Sequence, residues 1–125
     1  MDHKWLDDYC FGKLGSNKEF KEQWQATLYS VGGKMFALLG ENKDFRPIIS
    51  LKLIPSGGDY WRQQYKGDIV PGYYLNKVHW NSVCLDASVP VDIIKDLIDR
   101  SYELIFSSLT KKKQKKILEL SDHQS

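Results

Sequence analysis

The chain has 125 residues, of which 42% are hydrophobic and 27% are charged, and its formal net charge is +2. This length and composition predict a single globular domain spanning residues 1–125, with enough apolar side chains to bury a core. The sequence has no apolar run of about 18 residues and no basic-then-apolar leader. We therefore expect a cytoplasmic protein without a membrane span.

Charge and cysteine content narrow the possible functions. A net charge of +2 is low for a dedicated non-specific DNA-binding protein, although it leaves room for a local basic patch. Cys10 and Cys84 form no Cys-x-x-Cys motif, so the sequence predicts neither a redox pair nor a zinc site. Both are expected to be free thiols that are buried as small apolar side chains.

The first third of the chain predicts a helix and a hairpin. Apolar residues recur at helical spacing from Trp5 to Leu14, and Gly15 is a typical stop signal. The next segment, GSNKEFKEQ, is polar and predicts a loop. Two runs rich in strand-forming residues then flank Gly32-Gly33, which favours a hairpin turn because both glycines can adopt positive φ.

The middle of the chain predicts a third strand and a short helix. Alternation in RPIISLKLI places Ser50 and Lys52 on the face opposite the apolar residues. The segment SGGDYWRQQYKG predicts a helix from about Asp59 to a stop at Gly67. The segment DIVPGYYL predicts an extended piece that is interrupted at its Pro-Gly pair.

The last third predicts a strand and two helices. In HWNSVCLD, the residues Trp80, Ser82 and Cys84 share one face. A long helix starts after Ser88 with Pro90 in its first turn, and Lys95–Asp99 and Asp96–Arg100 have the spacing of i,i+4 ion pairs. Its apolar stripe comprises Ile94, Leu97, Ile98, Tyr102, Ile105 and Leu109. The last helix is predicted to begin at Thr110 as its cap and to carry Ile117, Leu118 and Leu120.

The order of these elements predicts the fold class. A helix, three strands, a helix, two strands and two helices contain no repeated strand–helix alternation. We therefore expect an α+β fold, an antiparallel sheet with helices packed on one face. The apolar stripe of the long helix is expected to be buried against that sheet.

Candidate catalytic and metal-binding groups are few. His79 could titrate near pH 7, but Cys84 lies five residues on, about 17 Å away along a strand and on its opposite face. Asp86 shares the face of Cys84, so these groups do not converge on a metal. We expect no enzyme activity, no metal and no cofactor. The ring of His79 is instead predicted to bond the backbone near Pro71–Leu75 and to position Trp80.

Two features of the sequence favour nucleic-acid binding. Lys52 and Trp80 share one predicted sheet face, with Lys77 and His79 just before the strand, and such a face can neutralise phosphates and stack bases. The alternative is that Trp80 belongs to the core. The run TKKKQKK places three lysines in the first turn of the last helix, Lys111, Lys112 and Lys113. Cations there oppose the helix dipole, so a docked anion would relieve the conflict; the alternative is a solvated terminal helix.

The run PGYYLNKVHWNSVCLD, followed by LIDRSYELI and SLTKKKQKK, resembles the MmcQ/YjbR family of small bacterial proteins. Further marks are YC and KLG near the start, VGGKMFALL, ISLK and WRQQY, so the resemblance covers essentially the whole chain. It implies a CyaY-like (frataxin-like) α+β fold with no established enzymatic activity or cofactor. Members are described as DNA-binding on the basis of a double-wing shape.

Matched position by position, the resemblance assigns signature residues and family lysines in this chain. The signature residues are Pro71, Gly72, Asn76, His79 and Trp80, and the family lysines are Lys34, Lys52 and Lys77. The chain departs from the family at Val78, Ser30 and Tyr74, where arginine, lysine and histidine are frequent. Basic groups are therefore missing from the predicted binding face.

We predict a weak, largely sequence-independent binder of double-stranded DNA with a regulatory role. Its contacts would be Lys34, Lys52, Lys77 and His79, with Lys111–Lys113 as a second phosphate patch. The alternative is a protein-interaction module or homodimer that uses the exposed sheet face, carrying Trp80 and Tyr29, and has no nucleic-acid role. Carboxylates such as Asp44 or Glu41 beside Lys52 would favour that alternative.

Overall fold

The computed structural model describes residues 3–72 and 75–122. Its helices are α1 (Lys4–Phe11), α2 (Pro55–Gln64), α3 (Val91–Ser108) and α4 (Lys111–Asp122). Its strands are β1 (Ser16–Lys21), β2 (Ala26–Val31), β3 (Lys34–Glu41), β4 (Pro47–Lys52), β5 (Ile69–Pro71) and β6 (Trp80–Cys84). A short 3-10 helix, Glu22–Trp24, joins β1 to β2. Within these residues, no helix is long and apolar enough to cross a membrane.

The strands form one six-stranded antiparallel sheet in the order β1-β2-β3-β4-β6-β5. Helix α3 packs on β2, β3 and β4. Helix α1 lies on the same side, since its Asp7 accepts a hydrogen bond from Tyr29, and α2 approaches Asn81 there. The predicted α+β fold with helices on one face is confirmed. We call the covered side the helical face and the other side the open face.

The core lies between α3 and the sheet. The whole predicted stripe of α3 is buried, as are the strand residues that face it, among them Leu51 and Val83. The Ser101 hydroxyl donates to the Phe36 carbonyl at 2.6 Å and accepts from the Lys52 N–H at 2.8 Å. The Ser101 side chain thus links α3 to β3 and β4. It is fully buried, and a buried hydroxyl without hydrogen-bond partners would destabilise the fold.

The β2–β3 hairpin turns at Gly32 and Gly33, whose φ angles are 59° and 85°, as predicted. Beyond the turn, Ser30 pairs with Met35 and Tyr29 pairs with Ala37, so Phe36 is an extra residue on β3. This β-bulge sends the Phe36 ring into the core, where it meets Tyr102 edge to face with ring centroids 5.3 Å apart. The bulge also changes the face on which the start of β3 presents its side chains.

Two carboxylates join the elements on the helical face. The Tyr29 hydroxyl donates to Asp7 at 2.6 Å, and Lys18 pairs with the same carboxylate at 2.9 Å. The Tyr29 hydrogen bond, followed by the one from Lys18, lowers the pKa of Asp7. The Tyr9 hydroxyl likewise donates to Asp99 of α3, which also accepts from Lys13. These bonds connect α1 to β1, β2 and α3.

Three expectations about elements were wrong. The segment predicted as a polar loop contains strand β1, whose residues are mostly exposed because it is a charged edge strand that shows no apolar alternation. Helix α1 ends at Phe11, before Gly15, because the chain already turns at Gly12. Helix α2 begins at Pro55, well before Asp59, since proline fits the first helical turn.

One predicted ion pair was also wrong. Asp99 bonds to Tyr9 and Lys13, while the Lys95 ammonium lies 5.8 Å from the Trp5 ring centroid and 5.3 Å from that of Tyr9. Helical spacing alone could not reveal these partners, because they come from α1. The pair of Asp96 with Arg100, at 2.8 Å, is confirmed.

The hairpin glycines provide a matched test of packing. Gly32→Ala and Gly33→Ala both force alanine into positive φ, at a cost of about 1–2 kcal/mol. A Cβ on Gly32 would lie 2.5 Å from a Leu109 methyl, whereas one on Gly33 meets nothing within 4 Å. Gly32→Ala should therefore destabilise the protein by about 1–3 kcal/mol more than Gly33→Ala, as overpacking does. Equal values in urea unfolding would contradict this close packing of the hairpin against Leu109.

The lowered pKa of Asp7 predicts how stability depends on pH. A carboxylate with a folded-state pKa below its unfolded value stabilises the fold above the unfolded pKa of about 4 and loses that contribution as pH falls through the folded pKa. Asp7→Asn should therefore cost about 1–2 kcal/mol at pH 7, and this cost should shrink toward pH 3. Asp8→Asn is the control, because Asp8 pairs only with exposed Lys4 in the described structure. An Asp7→Asn cost that is unchanged at pH 3 would contradict the assignment.

Candidate nucleic-acid interface

The register of the sheet brings the predicted contact residues to one end. The β2–β3 hairpin lies at this end, and Lys52, the last residue of β4, pairs with Trp80, the first of β6. Residues 75–79 precede β6, so Lys77 and His79 lie there too. Helix α4 also starts here, since the Lys113 ammonium donates to the Gly32 carbonyl at 3.3 Å. We call this the hairpin end of the sheet.

The predicted contacts nevertheless divide between two faces, which corrects the expectation of one face. Lys34 pairs with Val31, a core residue, and its ammonium donates to the Ser108 hydroxyl of α3 at 3.4 Å. Lys34 is therefore on the helical side. Lys52 and Trp80 point to the open face, opposite to Leu51. The physical reason is the bulge at Phe36, which reverses the alternation for the residues before it.

Lys34 joins the lysines of α4 in what we call the basic cluster. Its members are Lys34, Lys111, Lys112, Lys113, Lys115 and Lys116, and all are exposed. None of them forms an ion pair with a carboxylate of residues 3–72 or 75–121. As predicted, Thr110 caps α4, accepting the Lys113 N–H on its hydroxyl at 3.2 Å. The first turn contains no acidic residue, so three cations lie at the positive end of the helix dipole.

The open face carries a groove of about 470 Å³. Its walls are the exposed Trp24, with Gln23, on one side and Leu75 on the other. Its floor comes from β2, β3 and β4 and consists of Ala26, Leu38, Gly40, Ile48 and Ser50. The face is therefore largely apolar where the groove crosses it.

Two expectations about exposure on the sheet were wrong. Ser50 and Ser82 do point to the open face, but they are buried, and their hydroxyl oxygens lie 2.7 Å apart in a hydrogen bond. Tyr29, predicted as part of the exposed face, is fully buried on the helical face. Trp80 was expected to lie either in the core or on the exposed face. It is half-buried, so it belongs wholly to neither.

The signature residues and Lys77 hold the segment before β6 in place through hydrogen bonds to backbone atoms. The Gly72 N–H donates to the Trp80 carbonyl at 2.7 Å, and the Trp80 N–H donates to the Asn76 carbonyl at 2.9 Å. The Asn76 side chain accepts the Val78 N–H at 2.9 Å, and the Lys77 ammonium donates to the Gly72 carbonyl at 3.0 Å. A Cβ on Gly72 would lie 2.8 Å from that of Trp80, so only glycine fits.

The predicted role of the His79 ring stays a prediction. The His79 carbonyl accepts the Leu53 N–H at 2.8 Å and so ties this segment to the end of β4. Tyr73 and Tyr74, in the stretch that the ring was expected to bond, lie outside the described residues. Within the described part of this stretch, the Gly72 carbonyl accepts a hydrogen bond from the Lys77 ammonium.

The remaining candidate groups are two buried cysteine thiols and one aspartate that forms an ion pair. Burial raises the pKa of Cys10 to about 12 and raises that of Cys84 as well, so both are protonated near pH 7. Asp86 pairs with Arg46 at 2.9 Å, and that bond lowers its pKa. Among residues 3–72 and 75–122, no group of three His, Cys, Asp or Glu side chains could hold a metal ion.

Sequence reasoning missed Trp24 and Leu75 as walls of the groove. Trp24 follows a segment predicted as a loop, and its 56% exposure is high for so large an apolar side chain. A tryptophan between glutamines, in QWQ, was a weak signal of such a surface position. No local sequence pattern indicated that Lys34 would lie near the start of α4. That position depends on the bulge at Phe36 and on the path of the chain after α3.

Residues 14–104 match the sequence profile of the YjbR family. The uncharacterized protein YjbR of Escherichia coli K12 is 37% identical over 115 residues, which cover 92% of this chain and 96% of that protein. The uncharacterized protein YyaQ of Bacillus subtilis is 30% identical over 82% of each chain.

Solved structures agree with this relationship. The crystal structure of Deinococcus radiodurans protein DR2400, a DUF419 domain, superposes with a TM-score of 0.81 at 32% identity, covering 90% of this chain and 84% of that one. A Pseudomonas syringae protein solved by structural genomics gives a TM-score of 0.70 at 27% identity, with 84% and 99% covered. These likenesses extend over most of the sheet and its helices.

Two substitutions test which side chain holds the segment before β6. Lys77→Met removes the bond to the Gly72 carbonyl and should lower stability by about 0.5–1.5 kcal/mol, the net value of one hydrogen bond. His79→Ala should lower it by about 1–3 kcal/mol if the ring satisfies backbone groups, since unpaired buried groups cost that much. Thermal unfolding measures both. An unchanged melting temperature for His79→Ala, together with loss of a turnover or of metal binding, would reverse the structural assignment.

Proposed function

The chain belongs to the YjbR family, and we propose that it is a weak, largely sequence-independent DNA-binding protein rather than an enzyme. The observation that carries this proposal is the basic cluster at the hairpin end. There the lysines at the start of α4 and Lys34 of the hairpin present ammonium groups that have no carboxylate partners among residues 3–72 and 75–121. A regulatory role is compatible with such binding.

The arrangement of the lysines suits phosphate contacts. Lys111 and Lys115, like Lys112 and Lys116, are four residues apart on α4, so each pair lies about 6 Å apart along the helix axis. The Lys34 and Lys113 ammonium groups are held near the same junction by Ser108 and Gly32. A phosphate backbone at this end would neutralise cations that otherwise oppose the dipole of α4.

Lys52 on the open face, together with Lys77 and His79 in the segment before β6, would provide a second set of contacts at the same end. The carboxylates that would have opposed phosphate binding beside Lys52 are distant. Glu41 pairs with Pro47, five residues before Lys52, so it lies about 17 Å away along β4. Asp44 lies beyond it in the β3–β4 loop. This placement supports a phosphate site at the hairpin end.

A second candidate is a protein-interaction module or homodimer, and the apolar groove on the open face favours it. An exposed tryptophan beside an apolar groove is typical of interface hot spots. Tyr29 does not contribute, because it is buried on the other face. Under this alternative, size-exclusion chromatography would give a stable dimer that Trp24→Ala dissociates, and labelled duplex would not bind even at low salt.

Fluorescence anisotropy with a labelled duplex of mixed sequence tests the first proposal. We expect micromolar or weaker binding at low salt and a log–log salt slope of about −0.9 for each phosphate neutralised. Replacing Lys111, Lys112 and Lys113 by glutamine should reduce the slope by about 2–3 and weaken binding equally for unrelated sequences.

Single lysine variants sharpen this test. Lys34→Gln should weaken binding and reduce the salt slope by about 1. Lys43→Gln is the matched control, because Lys43 is an exposed lysine just beyond the other end of β3. If the two variants behave alike, the basic cluster is not the contact surface. If wild-type protein fails to bind at low salt, the DNA-binding proposal fails.

A further inference from the structure

We infer that the groove on the open face binds unpaired bases of single-stranded nucleic acid. This inference rests on the proposed function and specifies the form of nucleic acid that the protein prefers. The occupant follows from the volume and apolar lining of the groove, from the tryptophan in one of its walls, and from the charges at its two ends.

The open face departs from what water-facing sheets usually show. An antiparallel sheet covered on one side normally presents polar residues on the other. Here the interior strands direct the partly exposed Leu28, Met35 and Leu38 and the buried Ile48 to the open face. Among residues 3–72 and 75–122, no α-helix packs there, and only the short 3-10 helix Glu22–Trp24 borders the groove. The groove of about 470 Å³ lies in the range of small-ligand sites. It is therefore large enough for flat, largely apolar groups such as bases.

Aromatic side chains stand at two places on this face. Trp24 forms one wall of the groove and is 56% exposed. Trp80 lies on β6, half-buried, directly opposite Lys52 on β4. Base–aromatic stacking tolerates any sequence, because every base has a π-face. This property agrees with binding that does not depend on sequence.

The charges around the groove favour a strand that enters from the hairpin end. The Lys52 ammonium forms no ion pair with a carboxylate of the described residues. Lys77 uses one donor for the Gly72 carbonyl and retains two more. Glu41 borders the groove at the opposite end. A strand would therefore anchor a phosphate at these lysines and run along the groove, so that a base several nucleotides further on reaches Trp24.

The polar groups in the groove are few and suit base edges. The Ser50 hydroxyl in the floor is buried and already hydrogen-bonded to Ser82, so the exposed Gln23, in the same wall as Trp24, is the group that can meet a base edge. An amide side chain can both donate to and accept from a base edge. Duplex DNA cannot place its bases here, because they are stacked inside the helix. The groove therefore distinguishes single strands from duplexes, whereas the basic cluster does not.

The test compares a twelve-residue oligothymidine with a twelve-base-pair duplex at the same salt concentration, using anisotropy and tryptophan fluorescence. We expect the single strand to bind at least five-fold tighter and to quench tryptophan emission. Trp24→Ala should weaken single-strand binding at least five-fold and leave duplex binding unchanged, whereas Trp24→Phe should retain most of it. Phe45→Ala is the control, because Phe45 is an aromatic residue that is 81% exposed in the β3–β4 loop and does not line the groove.

Each other outcome overturns the inference in a distinct way. If duplex and single strand bind equally and Trp24→Ala changes neither, the groove is not used, and the proposed function stands. If neither nucleic acid binds at low salt, both proposals fail. If tryptophan emission changes with protein concentration but not with oligonucleotide, and Trp24→Ala abolishes a dimer in sedimentation, the occupant is a second copy of the chain.

Discussion

The burial of Phe36 determines how the hairpin end of this molecule is arranged. Phe36 is the extra residue of a bulge, and its ring packs against Tyr102 of α3. Without the bulge, strict alternation would point Phe36 and Lys34 to the open face together with Lys52. Burying the aromatic ring therefore moves Lys34 to the helical side. The basic cluster is a consequence of core packing as much as of local charge.

The same packing explains why the open face is available for binding. Helices α1, α2 and α3 all lie on the helical face, where Asp7, Asp99 and Ser101 tie α1 and α3 to the strands and to each other and Arg62 ties α2 to β6. Nothing comparable covers the groove between Trp24 and Leu75 in the part of the chain that the structure describes. A domain of this size stabilises its fold with one core, and under both proposals the second sheet face is the one that meets a ligand or a partner.

Local sequence patterns predicted the elements whose signals are contained within them. The α3 stripe, the Gly32-Gly33 turn and the Thr110 cap each depend on residues a few positions apart, and all are confirmed. Strand β1 was missed because a polar edge strand has no apolar period. The partners of Asp99 and the position of Lys34 were missed because they depend on which distant segments meet. The candidate site also depends on which distant segments meet. The sequence therefore identified its lysines but did not show that Lys34 lies beside those of α4.

The family signature and the proposed binding surface therefore overlap only in part, because His79 and Trp80 belong to both. Gly72, Asn76 and Lys77 are accounted for by bonds that hold the segment before β6, so their presence in a motif needs no nucleic acid to explain it. Lys111, Lys112 and Trp24, in contrast, are exposed side chains for which the described structure shows no such bonds. Side chains with no evident part in stability carry the functional argument, because removing them should alter binding while leaving the fold intact.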